Sequence, residues 1–165
     1  MIFFLESLMK IGITLVLTFI TSIEREFHSH PGGITTHMLV GLASCMFTIL
    51  SIKLQHNDGK HGDVTRIASQ VVSGMGFLGS ATVYKSDNYV KGINTAASLW
   101  VATAIGMSVG GDLWELAVLG SGSTALILLF NHYYKKCMKK VKIDCEHSRN
   151  DESNHNDLFI DEENN

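Results

Sequence analysis

Residues 66–80 read RIASQVVSGMGFLGS, a stretch that lies inside an apolar segment and yet contains an arginine, a glutamine, three serines and three glycines. Helices associate in lipid through small residues that permit close approach and through polar side chains that hydrogen-bond across the contact. We expect this stretch to lie in the third helix of the chain, α3. At helical spacing its polar and small residues share one face, which we call the α3 polar face. Its residues are Arg66, Ser69, Gln70, Ser73, Gly76 and Ser80. The stretch therefore predicts a membrane helix that packs through a small, polar face.

The rest of the chain contains four further apolar segments. The five segments cover residues 5–23, 38–54, 67–84, 95–109 and 113–130. A membrane-spanning helix needs roughly 20 apolar residues, with about 17 as a lower bound, so the fourth segment is marginal. We expect an all-α, polytopic membrane helix bundle of about five transmembrane helices. Two alternatives are four spans with a re-entrant fourth segment, and a soluble helical bundle, for which the chain has too little polar surface.

The charges that flank the segments predict the orientation of the chain in the membrane. Five lysines follow the fifth segment: Lys135, Lys136, Lys139, Lys140 and Lys142. Basic residues are concentrated in cytoplasmic loops and tails, so this block predicts a cytoplasmic C-terminus. An odd number of spans then places the N-terminus outside. We expect a transmembrane domain over residues 1–134. Residues 135–165 are expected to form a basic juxtamembrane segment and an acidic, disordered tail.

Polar and small residues also recur along the first and fourth segments. Every fourth residue of the fourth segment is an asparagine or a small residue: Asn94, Ser98, Ala102, Gly106 and Gly110. The first segment has Glu6, Lys10, Thr14, Thr18 and Ser22 at the same spacing. We expect the first, third and fourth segments to pack around one polar seam.

Three residues of this seam are candidates for more than helix packing. Polar and ionisable groups at membrane depth are costly, which makes Arg66, Gln70 and Asn94 functional candidates. Arg66 lies near the start of its segment, however, so it could instead extend to the interface or pair with Asp63. The serines and glycines are explained by helix packing alone.

The loop IEREFHSHPGGITTHM, residues 23–38, contains Glu24, Glu26 and three histidines, the last of which is His37. Histidines and carboxylates together suggest a weak transition-metal site. Hard oxygen ligands from Glu24, Glu26 and Asp63 would suit Mg²⁺ better, although local charge balance around Arg25 explains the two glutamates equally well. No catalytic triad, phosphate loop or cysteine nucleophile is recognisable, so we expect neither an enzyme nor a resident cofactor. The net charge of −3 gives no indication of nucleic-acid binding.

Three blocks of the sequence resemble the MgtC/SapB family of small membrane proteins. They read IERE…PGGITTHMLVGLAS, RIASQVVSGMGFLGSA and VKGINTAASLWVATAIGMSVG, and they occur in the order found in the family. The resemblance implies a five-span protein of the plasma membrane or the bacterial inner membrane. It also implies a short form, because longer members continue into a cytoplasmic ACT-like domain. By position, the family motifs match Arg66, Gln70, Ser73, Gly76, Asn94 and Thr95.

The resemblance also implies a link to magnesium limitation, acid stress and the virulence of intracellular pathogens. We therefore expect a stress-regulatory protein that interacts in the membrane with a partner, such as a subunit of the ATP synthase or a second copy in a homodimer. The alternative is a transporter or channel for magnesium or another cation. Its polar pathway would lie between the first, third and fourth helices.

Overall fold

The structure is a computed structural model, and it describes residues 1–26, 33–58, 65–86, 89–131, 133–134 and 138. Five helices make up nearly all of the described chain. They are α1 (Ile2–Glu26), α2 (Ile34–Asp58), α3 (Thr65–Ala81), α4 (Ile93–Gly110) and α5 (Trp114–Asn131). A short hairpin of β1 (Tyr84–Ser86) and β2 (Tyr89–Lys91) lies between α3 and α4. The prediction of an all-α helix bundle is confirmed.

The chain divides into two compact units, Met1–Leu126 and Ile127–Asn165. The first contains α1 to α4 and the greater part of α5. In the second, the rings of Phe130 and Tyr134 stack with their centroids 6.5 Å apart. The boundary after residue 134 and the disordered tail stay predictions, because residues 135–137 and 139–165 lie outside the described part of the chain.

Helices α2 and α4 run parallel to each other at the centre of the first unit. His37 and Ser98 lie together near the start of the two helices, with His37 Nε2 2.8 Å from Ser98 Oγ. Further along, Gly110 packs against the backbone of Cys45. Two parallel helices that are joined through α3 require α3 to return the chain from one end of the bundle to the other. Its 17 residues correspond to about 25 Å of helix.

Helix α1 runs antiparallel to both central helices. Its residue Thr18 approaches Gly41 near the start of α2, whereas Phe3 lies 4.5 Å from the ammonium group of Lys53 near the end of α2. Lys10, in the first half of α1, contacts Asp112 just beyond the end of α4. The first four helices thus alternate in direction, as five passes through a bilayer require.

Within the described ranges, four helices are long and apolar enough to cross a membrane by length and composition. These are α1, α2, α4 and α5, and the shorter helix is α3. The fourth segment, expected to be marginal, has the lowest mean hydropathy of these four, 1.2 over 18 residues, and the third is shorter still at 17 residues. Helix α4 begins at Ile93, before the apolar run, and continues unbroken for 18 residues to Gly110, so it is not re-entrant. Which end of the bundle faces the cytoplasm stays a prediction.

The interior of the bundle is more polar than its surface. Among the described residues, thirteen polar side chains are buried against seven apolar ones. Large apolar side chains such as Phe4, Val16 and Leu119 are exposed instead. This distribution of polar and apolar side chains is the reverse of that in a soluble protein, and it fits a bundle surrounded by lipid. We call the buried polar side chains of α1, α2 and α4 the polar core.

The hairpin between α3 and α4 was not predicted, because the sequence between these helices was interpreted as a loop. Tyr84 pairs with Lys91, and Lys85 pairs with Val90, in antiparallel register. Gly92 then joins β2 to α4 with a φ of 92°, and a side chain at Gly92 would collide with the carbonyl oxygen of Thr82. The hairpin is therefore held directly against the start of α4 at a position that requires glycine.

Candidate functional site

The tightest contact in the polar core lies between α2 and α4. A Cβ atom added to Gly106 would collide with the backbone of Gly41, and one added to Gly110 would lie 2.8 Å from the Cys45 carbonyl oxygen. Ser98, Ala102, Gly106 and Gly110, which the sequence proposes as a packing stripe, are all buried. Their partner is α2, which the predicted seam did not include.

The predicted seam between α1, α3 and α4 is not formed among the described residues. The stripe of α1 packs against α2 and α4, while α1 and α3 have little contact. A Cβ atom added to Gly41 would lie 2.5 Å from Cγ2 of Thr18 and 3.5 Å from Cγ2 of Thr14. The threonine methyl groups of α1 thus fill the space left by the glycine of α2, and this fit selects α2 over α3.

Most hydroxyl groups of the polar core bond to the backbone of their own helix. Thr14 donates to the carbonyl of Lys10 at 2.9 Å, and Thr18 donates to that of Thr14 at 2.7 Å. In α4, Thr103 donates to the Leu99 carbonyl at 2.9 Å. These bonds satisfy the hydroxyl protons within each helix, so the side chains present mainly their methyl groups to the neighbouring helices. The polar core is closely packed rather than a row of groups facing a water-filled path.

A histidine joins α2 to α4 at one end of the polar core. Nε2 of His37 lies 2.8 Å from Ser98 Oγ, and Nδ1 lies 3.2 Å from the Gly33 carbonyl oxygen. The side chain is only 1% exposed. We interpreted His37 as a residue of the first loop, which was wrong because α2 begins earlier, at Ile34.

An ion pair joins α1 to the turn after α4 at the other end. Lys10 Nζ lies 2.8 Å from Asp112 Oδ2 and 3.5 Å from Glu6 Oε1. The lysine side chain is 8% exposed, whereas the Asp112 side chain is 54% exposed. Asp112 adopts a φ of 63° in the turn, which aims the following chain into α5. Lys10 was noticed in the sequence, but its partner was not, because the pair is separated by 102 positions.

The α3 polar face lies on the outside of the chain. Arg66, Gln70, Ser73 and Gly76 are all exposed, and a Cβ atom added to Gly76 would meet nothing within 4 Å. The opposite face makes the contact with α4, where Gly79 approaches the Ala96 side chain. Thus α3 packs through a different set of small residues from the set that its sequence suggests.

Beside the α3 polar face lies a largely apolar groove of about 410 Å³. Gln70 and Gly74 of α3 line it together with Ser44 and Phe47 of α2. Gln70 supplies an amide at the edge of this groove, so the polar face and the groove form one continuous exposed surface on α2 and α3.

Asn94 and Thr95 lie at the start of α4, beside the hairpin. Asn94 is exposed, whereas Thr95 is only 1% exposed. The six residues matched by the family motifs therefore fall into two settings. Four lie on the outer face of α3, and two lie at the junction between the hairpin and α4.

The proposed magnesium ligands fall outside what the structure describes. The side chains of Glu24 and Glu26, and all of Asp63, lie outside the described residues. Within the described ranges, no group of three or more histidine, cysteine, aspartate or glutamate residues could hold a metal ion. The ligand set stays a prediction without structural support.

The fold, with its apolar surface and polar core, defines a polytopic integral membrane protein. A model of the MgtC family matches residues 11–137, and the chain belongs to this family. The membrane location and the family resemblance are therefore confirmed, and the relatives point to the bacterial inner membrane.

Curated relatives support the same assignment. An uncharacterized protein of Synechocystis is 39% identical over 116 residues, covering 70% of this chain and 48% of the relative. YhiD of Escherichia coli, named a candidate magnesium transporter, is 37% identical over 116 residues, covering 66% of this chain and 53% of the relative. MgtC of Brucella abortus is 34% identical over 108 residues, covering 66% and 42% respectively. This chain thus spans about half the length of these relatives. No solved structure matches it.

Proposed function

We propose that this chain is a magnesium-linked membrane protein that acts by binding a partner protein within the bilayer. The observation that supports the proposal is the exposure of the α3 polar face. A glutamine and several serines on the outside of a membrane helix are poorly matched to lipid. A protein surface that covers Gln70 and Ser73 would satisfy the amide and approach closely over Gly76.

The polar core gives the proposal a second, independent support. The α2–α4 contact has no space for an added side chain at Gly106, and the hydroxyl groups of α1 bond to their own backbone. An ion pathway needs groups that can replace water around the ion, and a closely packed core offers none. We therefore assign the core to helix packing and the α3 polar face to recognition. We assign the chain no catalytic step.

The magnesium link rests on the relatives, of which YhiD is named a candidate magnesium transporter. The partner would be a membrane protein, with a subunit of the ATP synthase and a second copy of this chain as the two candidates. Both candidates can be tested by co-purification of this chain with a differently tagged candidate partner. The double variant Gln70→Leu with Ser73→Leu should lose the partner while the bundle remains folded. Val16→Phe, an exposed and already apolar position of α1, should retain it. Unchanged recovery of both candidates with the double variant would contradict the proposal.

The second candidate function is cation transport, and one observation favours it. The groove beside Gln70 is open on the outside of α3, so a second copy could close it into a pathway. Purified protein in proteoliposomes would then conduct Mg²⁺, and the conduction would fall on Gln70→Leu. Robust flux with this dependence would favour transport. Flux at the level of empty vesicles favours partner binding.

A further inference from the structure

A second cleft lies at the junction between the hairpin and the start of α4, and the proposed function does not use it. Its volume is about 490 Å³. Tyr84 and Lys91, which pair directly across the two strands, line one side, and the first residues of α4 through Thr95 line the other. The hairpin thus places Lys91 and Tyr84 beside a helix N-terminus, with the Lys91 ammonium group 5.8 Å from the centroid of the Tyr89 ring.

The start of α4 lacks the side-chain cap that usually satisfies the first amide groups of a helix. Gly92 occupies the capping position, and no side chain forms a capping hydrogen bond there. The first backbone bond of the helix runs from the Ala96 amide to the Gly92 carbonyl. The amides of Ile93 and Thr95 have no hydrogen-bond partner among the described residues. Such groups, together with the helix dipole, attract anions.

Thr95 supplies an independent indication of a ligand. It is 1% exposed and lines the cleft, but its hydroxyl group forms no hydrogen bond within the described part of the chain. The other four buried threonines all donate to a carbonyl of their own helix: Thr14, Thr18, Thr21 and Thr103. Thr95 lies in the first turn of α4 and makes no such bond among the described residues. A buried hydroxyl without a partner is costly, and a ligand in the cleft would satisfy it.

We propose that this cleft binds a phosphate group. The residues that line it include an ammonium, a phenol and a hydroxyl group, with two backbone amides, and no carboxylate is among them. A phosphate oxygen would accept from the Thr95 hydroxyl and the α4 amides, and Lys91 would neutralise its charge. This site does not depend on either function proposed above, partner binding by the α3 polar face or cation transport.

The phosphate could belong to a lipid headgroup or to a soluble compound. Four apolar or aromatic side chains around the cleft are exposed: Tyr84, Tyr89, Val90 and Ile93. Aromatic residues beside lysines are typical of the membrane–water interface, where lipid phosphates lie. The position therefore suits the phosphodiester of an anionic phospholipid, and a soluble phosphate would use the same groups.

The test measures binding of three probes to the full chain purified in neutral detergent. The probes are phosphatidylglycerol, inorganic phosphate and diacylglycerol, which has the acyl chains but no phosphate. Native mass spectrometry gives the lipid affinities and isothermal titration gives that of phosphate. Lys91→Gln should weaken phosphate-dependent binding about tenfold, and Thr95→Val about fivefold. Lys85→Gln, with the same loss of charge outside the cleft lining, and Thr103→Val, at a hydroxyl already bonded, should stay within about twofold of the original chain.

The pattern across variants decides the outcome. Phosphatidylglycerol binding that depends on Lys91 and Thr95 supports a lipid site, and phosphate binding with the same dependence supports a soluble ligand. If neither phosphatidylglycerol nor inorganic phosphate binds, the proposal is overturned. Diacylglycerol binding as strong as phosphatidylglycerol binding also overturns it, because the site would then not select phosphate. A loss of binding on Lys85→Gln as large as that on Lys91→Gln overturns it too, because the phosphate would then not be bound in the cleft.

Discussion

Gly41 of α2 and Gly106 of α4 lie in direct backbone contact, so that a single added methyl group on Gly106 would collide with the Gly41 carbonyl. This relationship fixes the distance between the two parallel helices at the centre of the bundle. Helix α1 adds the methyl groups of Thr14 and Thr18 on the other side of Gly41. The three helices therefore form one closely packed unit, on which α3 is held by a separate contact.

The backbone contact between Gly41 and Gly106 predicts that one added methyl group at Gly106 strongly lowers the stability of the protein. Gly106→Ala should lower the free energy of unfolding by about 2 kcal/mol or more, because the colliding atoms belong to the backbone and cannot rotate away. Gly12→Ala is the matched control, since a Cβ atom at Gly12 meets nothing within 4 Å. Unfolding of the purified protein by denaturing detergent in mixed micelles measures both. Equal stability of the two variants would show that α2 and α4 are further apart.

The contact between His37 of α2 and Ser98 of α4 predicts that serine-to-alanine substitutions at two positions differ in their effect on stability. Ser98→Ala removes the hydroxyl group 2.8 Å from His37 Nε2 and leaves a buried ring nitrogen without this partner. The expected loss of stability is about 1–3 kcal/mol. Ser69→Ala removes only a bond from an exposed serine to its own helix and should cost a few tenths of a kcal/mol. The idea fails if the two variants unfold at the same detergent fraction.

The ion pair between Lys10 and Asp112 should be detectable as a coupling between distant positions. Lys10→Met and Asp112→Asn should each lower stability, and the double variant should lose less than their sum. We expect a coupling energy of about 1 kcal/mol, since the exposed carboxylate is partly screened by water. A double-mutant cycle measures it. Strictly additive effects would mean that the 2.8 Å contact contributes nothing to holding α1 against the turn.

Alternation of the helices predicts which positions share a side of the membrane. In a chain freed of its native cysteines, Ser86→Cys in the hairpin should react with an impermeant maleimide on the same side as a tag at the C-terminus. Asp112→Cys should react on the opposite side. The positive-inside pattern assigns the hairpin to the cytoplasm. Labelling of both positions from one side would exclude a full passage through α4.

The sequence was sufficient for the helices and for the small-residue stripe of α4. Apolar length and the lysines after the fifth segment indicate a polytopic bundle, and the spacing from Ser98 to Gly110 identifies a face that is in fact buried. This success has a physical reason. In lipid the small residues of a helix are the positions where another backbone can approach, so their spacing reports the packing face directly.

The choice of partner helix could not be read in the same way. Small and polar residues on α1, α3 and α4 are compatible with several pairings, and the decisive complement was Gly41 beside Thr18 of α1 and Gly106 of α4. A stripe of His37, Gly41 and Cys45 in α2 was the available signal. Helix α3 shows the limit of such patterns, since it has two faces with small residues and packs through the one with Gly79.

The exposed position of Ser73 allows a direct test of whether the α3 polar face binds a protein partner in the membrane. A photo-crosslinking amino acid is placed at Ser73 and, as a control, at Val16, an exposed apolar position of α1. After irradiation in intact cells, position 73 should give one discrete protein adduct, either with the ATP synthase subunit or with a second copy. Position 16 should give none. Equal absence of protein adducts at both positions would show that lipid covers α3 and that its polar face binds no protein partner.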